Sequence, residues 1–130
     1  MQTAGLLAAA LLFGGVTLFS FGFAAFLLKV LPADMARATI RRAFPHFYLF
    51  VIVTAAAAAA LLAGADHVAA LGLAAIAATT VPTRQILMPA INRATDAGAK
   101  PRFKALHGLS VVITLAHIAA AGWAIVRLAG

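Results

Sequence analysis

Cysteine and glutamate are both absent, and the only side-chain carboxylates are Asp34, Asp66 and Asp96. Without thiols there can be no disulfide, thiolate nucleophile, iron–sulfur cluster or thiolate metal site. Charge is scarce as well: Asp, Lys and Arg make up 10% of the 130 residues, against about 25% in soluble domains. A chain so poor in charge cannot coat a globule with solvated side chains, which excludes a soluble enzyme. Its 65% hydrophobic content equally excludes intrinsic disorder. The length suits one domain with no second core.

What is present is a series of apolar runs. They extend from about Ala4 to Leu31, His46 to Gly64, Val68 to Ile91 and Ala105 to Leu128. Each is long enough to cross a hydrocarbon layer about 30 Å thick. Only helices and closed barrels satisfy their own backbone in lipid. Alanine and leucine dominate and period-two alternation is missing, so the expected fold is an all-α integral membrane protein, a four-helix transmembrane bundle over residues 1–130. The first run has no basic residue ahead of it and exceeds a signal-peptide core, so it is expected to remain as a helix.

The net charge of +7 is a topology signal. Lys29, Arg37, Arg41 and Arg42 flank the first connection, and Arg93, Lys100, Arg102 and Lys104 flank the third. The second connection, around Asp66 and His67, has no Lys or Arg, and Arg127 is the dissenter. Basic residues favour the cytoplasmic side. Both termini are thus expected on the outer side, with anionic headgroups meeting the inner arginines, and nucleic acid is not an expected partner. Pro32 to Pro45 reads as a short separate helix, and Asn92 to Lys104 as an irregular connection. For packing, small residues at four-residue spacing predict the contact faces: Ala10, Gly14, Thr17 and Ala24; Ala56, Ala60 and Gly64; Ala70, Ala74 and Ala78. An oligomer interface with a second copy is the alternative use of those small faces, and the Phe19, Phe23 and Phe26 face is left for lipid or a partner membrane protein. Tyr48 and Trp123 are expected at the two headgroup levels.

Polar residues inside a membrane are costly and mark candidate sites. No acid lies within a run, which removes proton relays and paired acid–base catalysis, so an enzyme is not expected. On the last helix His107, Ser110, Thr114 and His117 fall within roughly 80° of the circumference at 100° per residue. They form a polar stripe expected to face inward, either as interhelical hydrogen bonds or as a ligand site. His46 and His107 begin their helices at similar depth and, with Met88, could hold haem iron or a soft metal ion. Arg84 lies between Pro82 and Pro89. A bend at Pro82 could form an anion pocket from Arg84, Gln85, Asn92 and His107, while the competing account lets Arg84 snorkel to the surface.

Arg84, Pro89 and Asn92, followed by Phe103, His107 and Ser110 as Phe-x-x-x-His-x-x-Ser, resemble the pattern in bacterial relatives of the transmembrane-protein-205 family. That resemblance implies four helices in a bacterial inner membrane and a domain of unknown function. Members often carry asparagine a turn beyond the serine, where this chain has Thr114, so an amide-dependent role there is not carried over. A more distant similarity to copper-resistance D type proteins and small haem-associated protoporphyrinogen oxidases implies a haem or copper cofactor. The first helix has no histidine, so a haem ligand there is not carried over either. Two functions follow as expectations: binding or moving a small ligand (haem, metal or lipid-like anion) at a cytoplasm-side intramembrane site, or serving as a non-catalytic accessory subunit or assembly factor. For topology, a reporter active only in the cytoplasm should be silent when fused after Gly130 and active when inserted at Gly98; the reverse pattern would invert the orientation.

Overall fold

A computed structural model describes all 130 residues and contains only helices. The long helices are α1 (Gln2–Val30), α2 (Ala33–Leu62), α3 (His67–Asp96) and α4 (Lys100–Ala129), each long and apolar enough to cross a membrane. Helices α2, α3 and α4 have 30 residues each, about 45 Å at 1.5 Å per residue. Each therefore exceeds the hydrocarbon layer by roughly 15 Å. If α2 meets the far boundary at Leu62, its first ten or so residues project beyond the near one. The arginines Arg37, Arg41 and Arg42 all lie in that projection.

Pro45 lies inside α2, so the separate helix expected between Pro32 and Pro45 is fused to the second span. A proline here forfeits a bond to the Arg41 carbonyl and costs about 3 kcal/mol. Aromatic packing around it offsets that cost. Phe47 stacks on Phe19 of α1 with centroids 4.0 Å apart, Phe44 meets the same ring edge-on at 5.3 Å, and Tyr48 lies 5.6 Å from Phe44. Such pairs contribute about 0.5–1.5 kcal/mol each. Phe19 therefore belongs to the core cluster and not to an outward face, whereas Phe21 and Phe26 remain more than 60% exposed. The third connection is likewise shorter than expected. Helix α3 runs to Asp96 and α4 begins at Lys100, because Gly98 adopts φ +64°. That left-handed residue lets the Ala99 N–H donate to the Ala94 carbonyl at 3.0 Å and closes the helix end. Pro82 is absorbed by a wide π-type turn over Thr83–Leu87, and α1 has another over Leu18–Phe23.

The contact faces also differ from the expected ones. Helix α1 buries Gly5, Ala9, Leu12 and Val16, whereas Ala10 and Gly14 are exposed. On α2 the buried set is Val51, Ala55, Ala58 and Leu62, and on α3 it is Ala69, Ala70, Leu73, Ile76 and Thr80. Ala56, Ala60, Gly64, Ala74 and Ala78 point outward. Small residues occur on every face of these alanine-rich helices, so their spacing does not select one. Large residues seated against small ones do. A Cβ on Gly5 would lie 2.5 Å from Leu62 Cγ, and one on Gly15 would lie 2.6 Å from Phe50 Cε1.

The Gly5–Leu62 contact brings the start of α1 to the end of α2, and Arg127 ties the end of α4 to the α2–α3 turn. Both termini therefore share one end of the bundle. There Asp66 caps α3, accepting from the Val68 and Ala69 N–H groups at 3.0 Å each, and Arg127 Nε donates to it at 2.7 Å. The Ala69 bond first, and the Arg127 guanidinium second, hold this carboxyl below its ordinary value. The basic residue that dissented from the charge pattern is thus neutralised by an ion pair.

Leu62 is fully buried and has no space to yield, so Gly5→Ala is expected to destabilise the bundle by about 1–3 kcal/mol. Gly14→Ala, with nothing within 4 Å of the added Cβ, should be neutral or gain up to about 1 kcal/mol. Unfolding midpoints in detergent compare the two; equal effects would contradict the assigned face.

Candidate functional site

At the end opposite the termini, α2, α3 and α4 diverge around a cavity of about 660 Å³. Its polar lining is Arg37, Arg41 and Tyr48 from α2, Asn92 and Thr95 from α3, and His107 and Ser110 from α4. Its apolar wall includes Leu28 of α1 with Ile40, Phe44, Met88, Ile91 and Phe103. The projecting start of α2 creates one side. Had Pro45 ended that helix, Arg37 and Arg41 would not be held above Tyr48.

Several lining groups are already engaged. Arg41 and Asp96 form a two-pronged ion pair, with N–O distances of 2.7 and 3.0 Å, tying the start of α2 to the end of α3. Thr95 and Ser110 donate to carbonyls of their own helices. Others have no partner within the protein. Arg37 is in neither ion pair. Asn92 is half-buried without a hydrogen bond, and the His107 ring stacks on Phe103 at 5.3 Å with both nitrogens open. Tyr48 is the most telling, being only 6% exposed. Its hydroxyl has no hydrogen-bond partner and is not sealed off from accessible space, and the space it borders is this cavity.

The residues singled out by sequence divide into four places. Met88, Asn92, His107 and Ser110 meet at the cavity. Arg84 and Gln85 do not line it. Arg84 Nε instead donates to the Pro45 carbonyl at 3.0 Å, and its Nη1 donates to Gln85 Oε1 at 2.9 Å. The expected grouping of Arg84 with Asn92 and His107 is therefore split, because the wide turn after Pro82 sets Arg84 against α2. Deeper in the bundle, Thr79 Oγ1 and His117 Nε2 lie 2.8 Å apart. The Thr79 hydroxyl is directed at the Ala75 carbonyl at 2.7 Å, so Nε2 is the donor to it, which leaves Nδ1 as the acceptor. Thr114 is half-buried on the same stripe.

His46 is elsewhere again. It lines an apolar groove of about 810 Å³ between α1 and α2 with Phe19, Phe23, Phe26, Phe47 and Phe50. The two histidines expected to share an iron or soft metal thus border different cavities, and no three His, Cys, Asp or Glu side chains converge anywhere.

Residues 7–100 match the family described as a domain of unknown function (DUF4149). The chain belongs to this family. The DUF4149 match covers nearly all of α1 with α2 and α3, and ends as α4 begins, so Arg37, Arg41, Tyr48 and Asn92 lie within it and His107 and Ser110 beyond. No curated protein and no solved structure matches the chain. Sequence reasoning missed Arg37, Arg41 and Tyr48 as lining residues, having assigned them to topology and headgroup anchoring. The signal that could have found them was Asp96, a lone acid placed to fix an arginine of α2 beside α3.

Arg84 acts here as a strap between α3 and α2. Arg84→Leu should lower the unfolding free energy by about 1–2 kcal/mol, as expected for a lost charged hydrogen bond at a half-buried site. An unchanged midpoint in detergent would mean that Arg84 merely snorkels.

Proposed function

We propose that this DUF4149 protein binds or moves a small amphiphilic ligand in the cavity between α2, α3 and α4. The observation that carries the proposal is Tyr48: a hydroxyl on a nearly buried ring, unpaired, bordering a space with a basic polar end and an apolar wall. Unpaired polar groups at membrane depth cost free energy unless something meets them. The lining offers cations and donors without a carboxylate to take up a proton, which favours binding or transport over catalysis. The charge pattern supports a cytoplasmic position for the cavity end, and the family resemblance supports a bacterial inner membrane. Haem or copper, implied by the distant resemblance, has weaker support than an amphiphile, since His46 and His107 border separate cavities.

A second reading, an accessory subunit of a larger membrane complex, is favoured by the groove beside α1. There Phe19, Phe23, Phe26, Phe47 and Phe50 line an apolar groove that could admit a partner's helix. The two readings differ in what copurifies. Gently purified protein should carry a bound small amphiphile, identified by mass spectrometry after solvent extraction. Ser110→Phe, which pushes a ring into the cavity, should cut its retention by about tenfold, or 1.4 kcal/mol. Stoichiometric copurifying proteins, with no ligand lost on Ser110→Phe, would favour the accessory role.

A further inference from the structure

Resting on the assignment of this cavity as the ligand site, the pattern of its open groups points to the ligand's class: we infer that it is an anionic glycerophospholipid, its phosphate at Arg37 and its ester oxygens at Tyr48. Arg37, Tyr48, Asn92 and His107 can all donate, and none has a partner in the protein. No carboxylate lines the cavity: Asp96, the nearest in sequence, is held by Arg41. Asp34, three residues before Arg37, forms no ion pair with it. A lining with surplus donors and one uncompensated cation calls for a ligand rich in acceptors and negative in charge.

Depth narrows the class further. Arg37 and Tyr48 are eleven residues apart on one helix, about 16 Å along its axis. A free phosphate or a fatty-acid carboxylate has acceptors at only one level and cannot meet both. A glycerophospholipid carries phosphate oxygens at the headgroup level and ester carbonyls below them. The tyrosine side chain leans back toward the start of α2, as helical side chains do, and the long, flexible Arg37 side chain closes the gap by turning down along the helix to the phosphate. The length of α2 places Arg37 in the headgroup zone and Tyr48 more than a turn inside the hydrocarbon. Phe44, Met88 and Phe103 supply the apolar wall that acyl chains need.

The test uses the full chain in a neutral detergent, with native mass spectrometry following bound ligand. The probes are dioleoyl phosphatidylglycerol, dioleoyl phosphatidylcholine, oleate and inorganic phosphate. One saturable phosphatidylglycerol site is expected, with phosphatidylcholine about tenfold weaker. Arg37→Gln should weaken phosphatidylglycerol about tenfold and phosphatidylcholine, whose choline already offsets its phosphate charge, by less than about threefold. Tyr48→Phe should weaken both phospholipids about three- to tenfold without altering oleate. Both variants leave every intramolecular hydrogen bond intact, and an unchanged melting temperature verifies their folding. Equal binding of the two phospholipids, indifferent to Arg37→Gln, overturns the anionic class. Oleate or inorganic phosphate binding as tightly, with the same dependence on Arg37 and Tyr48, overturns the glycerophospholipid. In either case Ser110→Phe still blocks the bound probe and the cavity assignment survives. If Ser110→Phe blocks none of the four, the cavity assignment itself falls.

Discussion

The constraint on which everything else depends is that a hydrocarbon layer offers no water to satisfy a polar group. It forces the chain into helices, and it then acts on each polar side chain in turn. Thr17, Thr54, Thr79, Thr80 and Thr83 return their hydroxyls to carbonyls one turn earlier. His117 reaches across to Thr79, and Arg84 to Pro45. After these assignments Arg37, Tyr48, Asn92 and His107 remain unpaired side by side around one cavity at the basic end, and that cluster marks the candidate site.

The two ends of the bundle solve different problems. At the end that holds the termini, Asp66 serves two functions, capping α3 and receiving Arg127, and the backbones approach closely where Gly5 meets Leu62. At the other end α2 overshoots, and its aromatic cluster with Phe19 carries it straight through Pro45. That overshoot suspends arginines beside the ends of α3 and α4. The Arg41–Asp96 pair keeps the helices together without closing the space between them. Tight packing at one end and an open, basic cavity at the other follow from where the glycines, aromatics and charges fall.

The helices were legible in the sequence because their signal is additive: twenty or so apolar residues outweigh any single neighbour. The proline inside α2 went differently. Pro45 was read by its local cost alone, yet the stacking of Phe19, Phe44 and Phe47 that offsets it depends on residues 25 or more positions apart. The contact faces were missed for a related reason. With alanine on every side, the face is chosen by where Leu12, Leu62 and Leu73 can be seated, a property of the neighbouring helix. At the site, His107 and Ser110 were found from their polarity within an apolar run, Asn92 from its place beyond the Pro82 bend, and Met88 from its place near the inner histidines. Arg37 and Arg41 were hidden because a loop arginine and a cavity arginine look alike until the helix carrying them is known to continue.

The central claim is that the open donors around this cavity are met by one elongated, acceptor-rich lipid. The most direct measurement is an experimental structure of the protein in phosphatidylglycerol-containing nanodiscs, at a resolution that shows lipid headgroups. The account predicts continuous density from Arg37 to the Tyr48 hydroxyl, with acyl chains leaving past Phe44 and Phe103. A cavity closed by its own side chains, with Tyr48 bonded to another protein group, would contradict it.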